Sequence, residues 1–313
     1  MPALLSQLKR RLEHAIRRRT ARRLLVALKR ATHRLPSTLV PPARGRVLVI
    51  APHADDEVIP CGGTLLRHRQ LGNPTRVVFV TDSSAGLADA QLAQRLREIR
   101  LKESGQVAQA MAFDSVVHLD LPDGQLVRHE APLTQQLLAQ IREFQPDIIY
   151  CPFPGDGHAD HQACALAVAN AANDLGWKGQ IHAYEVWTTL WPNIMIDISD
   201  QAEEKQQLIG LYASQMADRD YAAGTLGLNR FRGLQHRVQY AEAFYACDAH
   251  EFQTLTEATV QAQAELWLTA RRDATFVPLR RIRRRLAPDP ASIGRGRPAD
   301  RLLAGCPQPA PGE

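Results

Sequence analysis

Short apolar runs rich in Val, Ile and aromatic residues recur along the middle of the chain, separated by longer stretches with apolar residues at helical spacing. Residues 46–51, 76–81, 115–121, 147–153 and 180–187 have the length and side-chain types of strands. Residues 65–70, 88–110, 132–144 and 161–173 read as the helices between them. Strands alternating with helices predict an α/β fold, a mostly parallel sheet with helices on both faces. A further strand is expected over 194–198, then a helix over 201–216 and a last helix over 254–268. In such sheets ligands bind at the carboxyl ends of the strands.

The two ends of the chain have a different character. Leu5, Leu8, Leu12 and Ile16, then Leu24, Leu25 and Leu28, repeat at roughly helical intervals with arginines between them. Pro36, Pro41 and Pro42 end that stretch. Beyond Val277 the chain is rich in Arg, Pro and Gly, a composition that favours disorder. Three parts are therefore expected: a basic amphipathic extension and Pro linker over 1–43, a single catalytic domain over 44–270, and a basic tail over 271–313.

Charge follows the same division. Residues 1–46 hold 13 Lys and Arg against one acid and residues 271–313 hold 10 Arg against four acids, so the net +5 of the chain leaves −13 on residues 47–270. A helix with leucines on one face and arginines on the other suits an anionic membrane surface, contacted through residues 1–35. Packing against its own domain or a partner is the alternative. Nucleic acid is disfavoured, because the body is acidic and aromatic residues do not interleave the basic ones. No stretch reaches about 18 consecutive apolar residues, and the Arg-rich start lacks the apolar core of an export signal. The five scattered cysteines read as reduced thiols. The expected location is the cytoplasm, with peripheral contact at the inner membrane surface.

Two clusters carry the chemistry. Pro52-His53-Ala54-Asp55-Asp56-Glu57 follows the apolar run Val47-Leu48-Val49-Ile50, and His158-Ala159-Asp160-His161 follows Asp147-Ile148-Ile149-Tyr150-Cys151. Two such clusters at two strand ends can converge, supplying metal ligands, a carboxylate base and a spare imidazole, the equipment of a metal-dependent hydrolase. Each fragment alone has a plainer explanation. His53 could be a hydrogen-bonded turn histidine, and Asp55-Asp56-Glu57 could be acids in a first helical turn. A nucleotide site fails on spacing, since no Gly-x-Gly-x-x-Gly follows the first strand.

The pattern resembles the PIG-L/LmbE-like family of zinc-dependent N-acetylglucosaminyl deacetylases. The first family motif is met by Pro52 to Glu57 with Gly62-Gly63, and the His-x-Asp-His motif by His158 to His161. The likeness extends to Thr81-Asp82, Arg100 with Glu103, Leu121-Pro122-Asp123-Gly124, Tyr184-Glu185-Val186-Trp187, Ser214-Gln215 and Glu242-Ala243-Phe244. The resemblance implies a Rossmann-like catalytic domain that removes acetyl from an N-acetylated amino sugar. It implies His53, Asp56 and His161 as zinc ligands, with iron(II) or cobalt fitting the same donors. It implies Asp55 as general base and then acid, and His158, as imidazolium, beside the oxyanion. Asp160 is expected to orient His158 and keep its pKa up. Arg100 and Asp123 match positions that contact sugar hydroxyls. A non-sugar N-acyl substrate, or a non-catalytic carbohydrate- or membrane-binding relative, remains the alternative.

Overall fold

In the computed structural model, residues 37–84, 89–217 and 219–272 are described, the last ten as helix backbone only. The expected amphipathic extension over 1–35, most of the expected tail over 271–313 and residues 85–88 of a loop lie outside the described residues.

The core is one eight-stranded sheet: β1 (Thr38–Leu39), β2 (Val47–Ala51), β3 (Thr75–Thr81), β4 (Ser115–Leu121), β5 (Ile148–Pro152), β6 (Gln180–Tyr184), β7 (Ile194–Asp197) and β8 (Ala241–Cys247). Its order is β1-β7-β8-β6-β5-β2-β3-β4. β2, β3, β4, β5 and β6 run parallel, as does the β1–β7 pair, while β8 lies antiparallel between β6 and β7. The eight helices described are α1 (Gly62–Gln70), α2 (Ala90–Met111), α3 (Glu130–Phe144), α4 (Ala159–Asp174), α5 (Ala202–Gly210), α6 (Ala213–Met216), α7 (Tyr221–Leu234) and α8 (Ala249–Arg272).

β2 explains why the expected pattern holds. All five of its residues are buried, so it reads as a continuous apolar run, as a central strand covered on both faces must. Alternate side chains then serve two cores. Leu48 and Ile50 join Leu133, Leu137 and Val168 on the face covered by α3, α4 and α8. Val47, Val49 and Ala51 join Leu65, Leu66, Val107 and Leu208 on the face covered by α1, α2 and α5.

Three elements depart from expectation. Thr38–Leu39, in the stretch read as linker, pairs with β7 as an edge strand, and the prolines that follow suit an edge, where no further N–H is required. The single helix expected over 201–216 breaks at Leu211 and Tyr212, whose N–H groups turn back to Leu208 and Ile209. α7 and β8 were not anticipated as elements. β8 reads Ala-Glu-Ala-Phe-Tyr-Ala-Cys, too rich in alanine to stand out by β-propensity. No helix among the described residues is long and apolar enough to cross a membrane. Cys61, Cys151, Cys164 and Cys247 are buried thiols that form no disulfide with one another.

Candidate metal centre and catalytic cleft

The sheet reverses direction of growth at β2. β3 lies on one side of it and β5 on the other, so a crevice opens at the carboxyl ends of β2 and β5. The first cluster leaves β2 there, and the second leaves β5 there. A cleft of about 310 Å³ lies between them, lined by His53, Asp55, Asp56, Arg100, Asp123 and His158 among others.

Asp56 is the pivot of the convergence. Its Oδ2 lies 3.0 Å from His53 Nδ1 and 3.1 Å from His161 Nε2, and it accepts the His53 backbone N–H at 2.9 Å. Two donors of a tetrahedral centre with bonds of about 2.0–2.1 Å lie about 3.3 Å apart, close to these separations. His161 is fully buried, yet neither ring nitrogen makes a well-formed hydrogen bond, although carboxylate oxygens stand at 3.1 and 3.2 Å. Buried orphan nitrogens facing carboxylates are the donor set of a cation site. His53, Asp56 and His161 could therefore hold a divalent metal.

Other groupings are possible on distance. Ring nitrogens of His53, His158 and His161 all lie within 4.8 Å of one another, as do donor atoms of His53, Asp123 and Asp160. The second of these is the weaker choice. Asp160 is already committed, accepting from Gly124 N at 2.7 Å and Leu126 N at 3.1 Å.

Those bonds correct one expectation. The Asp160 carboxylate faces His53 Nε2 at 3.3 Å, not the His158 ring. Asp123 Oδ1 approaches the same nitrogen at 3.2 Å. Asp160 and Asp123 thus orient His53 from behind, as outer carboxylates do for metal-binding imidazoles. The contact with His158 runs through the backbone: Asp160 N donates to His158 Nδ1 at 3.2 Å, so His158 is the N-cap of α4. Asp160 and Asp56 do pull the His158 pKa up, as expected of Asp160, but burial, then the nearby His53 and His161, outweigh them and lower it. A neutral His158 is favoured over the expected imidazolium, with Nδ1 accepting and Nε2 left to carry the proton.

One residue escaped sequence reasoning. Asp156, buried in the loop after β5, lies 3.2 Å from His161 Nδ1. It also accepts from His158 N at 2.9 Å and Trp187 N at 2.9 Å. It therefore ties the His161 ring to the loop after β6. Its place two residues before the His-x-Asp-His motif was the only available signal.

Burial would lower the pKa of His53 and His161, but carboxylates overcome it. Asp123, Asp160 and Asp56 raise His53 well above its ordinary value. Asp56 and Asp156 raise His161 to about 9. Asp56 is held well below the usual carboxylate range, because His161 and His53 outweigh its burial.

Asp55 differs from its neighbour. Burial and then the Asp56 charge push its carboxyl well up, against the pull of Arg100. Its backbone sits at φ +118°, a region that costs a non-glycine residue about 1–3 kcal/mol and clusters at functional sites. Two contacts hold it there. Asp55 N donates to Glu57 Oε2 at 3.1 Å, and the buried Tyr212 hydroxyl donates to Glu57 Oε1. Glu57 itself is raised to about 7, chiefly by burial.

Arg100 lines the cleft with two of its nitrogens engaged: Nη1 donates to Ser83 O and Nη2 to Gln215 Oε1, both at 2.9 Å. Its buried Nε makes no hydrogen bond. The paired fragments Arg100/Glu103 and Ser214/Gln215 meet here, since Glu103 accepts from Ser214 N at 2.8 Å and Ser214 Oγ at 2.7 Å. Behind the site, Glu242 accepts from Gly63 N at 2.9 Å and Thr64 N at 2.7 Å at the start of α1. Lys205 Nζ donates to the same carboxylate at 2.6 Å.

Residues 48–172 match the PIG-L family, described as GlcNAc-PI de-N-acetylase. The chain is 27% identical over 190 residues to the diacetylchitobiose deacetylase of Thermococcus kodakarensis, covering 55% of this chain and 71% of that protein. It is 26% identical over 213 residues to the 2'-N-acetylparomamine deacetylase of Streptomyces fradiae, covering 56% of this chain and 75% of that protein. The N,N'-diacetylchitobiose deacetylase of Pyrococcus horikoshii superposes with a TM-score of 0.57 at 26% identity, over 65% of this chain and 84% of that chain. Residues 48–172 thus match the PIG-L (LmbE-like) family, and the relatives named here are deacetylases of N-acetylated sugars.

Proposed function

We propose that this chain is a zinc-dependent hydrolase that removes the N-acetyl group from an amino sugar of the N-acetylglucosamine type, leaving a free amine and acetate. The observation that carries the reading is the convergence of His53, Asp56 and His161 beside a cleft lined by His53, Asp56 and Asp55, the last on a strained backbone. His53, Asp56 and His161 would hold the ion. When bound, zinc supplies Lewis-acid activation of water and of the acetamide carbonyl.

The remaining work belongs to side chains. Asp55 takes the proton of the attacking water and returns it to the sugar nitrogen as the C–N bond breaks. A carboxyl lifted by burial is suited to both transfers. Neutral His158, with its ring proton on Nε2, donates to the carbonyl oxygen as negative charge develops there. Asp156 and Asp160 hold the two metal-site imidazoles in orientation. Arg100 and Asp123 stand on the cleft wall where sugar hydroxyls would lie. For residues 1–35 we propose peripheral contact with an anionic membrane, on the strength of their leucine and arginine pattern.

The test is acetate and primary-amine release by zinc-loaded protein from free, nucleotide-linked and lipid-linked N-acetylglucosamine compounds. Equimolar release of both products from at least one class is expected. Release of acetate only from non-sugar amides, or from none with zinc bound, would overturn the reading.

A further inference from the structure

A second cavity of about 250 Å³ adjoins the catalytic cleft. The two share a wall, since Ile59, Val186, Trp187 and Tyr221 line both. Beyond that wall the second cavity runs along α7, bounded by Pro60, Gly224 and Leu228. Its surface is mostly carbon. Its polar side chains are largely committed elsewhere: Glu185 receives Arg232 Nε at 2.9 Å, Asn229 Oδ1 accepts from Lys205 Nζ at 2.8 Å, and Asp220 Oδ1 accepts from Ala223 N at 2.9 Å. Arg219 and Thr225 also border it, but most of the exposed wall is the carbon of Ile59, Pro60, Val186, Trp187 and Leu228, which suits an apolar group better than sugar hydroxyls. Trp187 is 46% exposed, a large apolar side chain left half in water at the junction of the two cavities. It packs edge-on to Tyr221, with the Arg219 guanidinium 5.2 Å from its ring centre.

We infer that the second cavity is a subsite for an apolar, aliphatic group carried by the amino sugar, so that the preferred substrate is an N-acetylated sugar joined to an alkyl-like aglycone. The inference rests on the deacetylase reading for the identity of the sugar, and the continuity of the two cavities supplies the rest. An acetamide placed over Asp55 leaves the remainder of the substrate to extend past Ile59 and Trp187. Burial of each methylene there strengthens binding by roughly threefold to fourfold.

Gly224 provides a clean perturbation. A Cβ added at that position meets no atom within 4 Å, and a larger residue inside a helix is no worse than glycine for helix stability. Gly224→Leu therefore adds apolar bulk at the edge of the cavity, with room for its Cβ. The experiment compares methyl, butyl and hexyl glycosides of N-acetylglucosamine, in both anomers. It uses zinc-loaded wild-type protein and Gly224→Leu, with Trp fluorescence titration of the same glycosides alongside.

In wild type, KM is expected to fall about 30- to 60-fold from methyl to butyl and about tenfold more from butyl to hexyl, with kcat little changed. In Gly224→Leu the hexyl-to-methyl ratio should collapse towards one. Turnover of all three with no chain-length dependence would overturn the subsite and leave the deacetylase reading standing. No turnover of any glycoside, together with chain-length-dependent binding that Gly224→Leu abolishes, would overturn the deacetylase reading and support the apolar site.

Discussion

The imidazoles of the metal centre make a quantitative demand on how metal binding depends on pH. His161 is raised to about 9 by Asp56 and Asp156, and His53 is also raised well above its ordinary value. A metal binds only the neutral ring, so it must displace these protons. At pH 7 a group with a pKa of about 9 is roughly 99% protonated, which weakens apparent affinity about 100-fold relative to pH well above 9. The sign follows: affinity rises as pH rises. His161 alone gives a tenfold change in Kd per pH unit between pH 6 and 8, and His53, also raised, steepens it further. Competition with a chromophoric chelator in non-coordinating buffers across that range measures the slope. Calorimetry in two buffers of different ionisation enthalpy counts the protons released, expected to be between one and two at pH 7. A Kd that is flat between pH 6 and 8, with no proton release, would show that the carboxylates do not hold these rings protonated and that the description of the site is wrong.

Asp156→Ala strips the carboxylate from His161 Nδ1 and from the His158 and Trp187 amides. Metal affinity should fall about 10- to 100-fold, measured by the same chelator competition, and an unchanged Kd would remove Asp156 from the site. Gly63→Ala places a Cβ 2.7 Å from Ile198 Cβ, an overpacking expected to cost about 1–3 kcal/mol. Urea denaturation reads the loss, and an unaltered midpoint would show that α1 can retreat from Ile198. Removal of residues 1–35 should abolish salt-sensitive binding to anionic vesicles, each basic residue near the surface being worth about 1 kcal/mol. Equal sedimentation with vesicles by the truncated and full chains would place any membrane contact elsewhere.

The strand-and-helix alternation was legible because β2, β5 and the Val77–Val80 run of β3 are buried and continuously apolar. The same logic fails at β8. Its Glu242 is buried as the partner of α1 and Lys205, so a charged residue stands where a core strand would show an apolar one. Ligand candidates were legible because His53, Asp56, His158 and His161 lie in two compact clusters. The partners that aim them were not. Asp160 was expected against His158 but faces His53, because Gly124 and Leu126, from a different loop, supply the amides that fix its carboxylate. Asp156 and the Tyr212–Glu57 contact beneath Asp55 depend on tertiary proximity, which linear spacing does not encode. The second cavity likewise forms only where α7, itself unanticipated, packs beside the loop after β6.

The division of labour between Asp55 and Asp56 is tested most directly by measuring zinc content and deacetylation together in wild type, Asp55→Asn, Asp56→Ala and His161→Ala. Asp55→Asn should keep one zinc per chain while turnover falls about 10²- to 10⁴-fold, the usual contribution of a positioned acid–base group. Asp56→Ala and His161→Ala should lose the metal itself. Equal loss of zinc in Asp55→Asn, or near-normal turnover without it, would contradict a metal held by His53, Asp56 and His161 with Asp55 as the group that moves the proton.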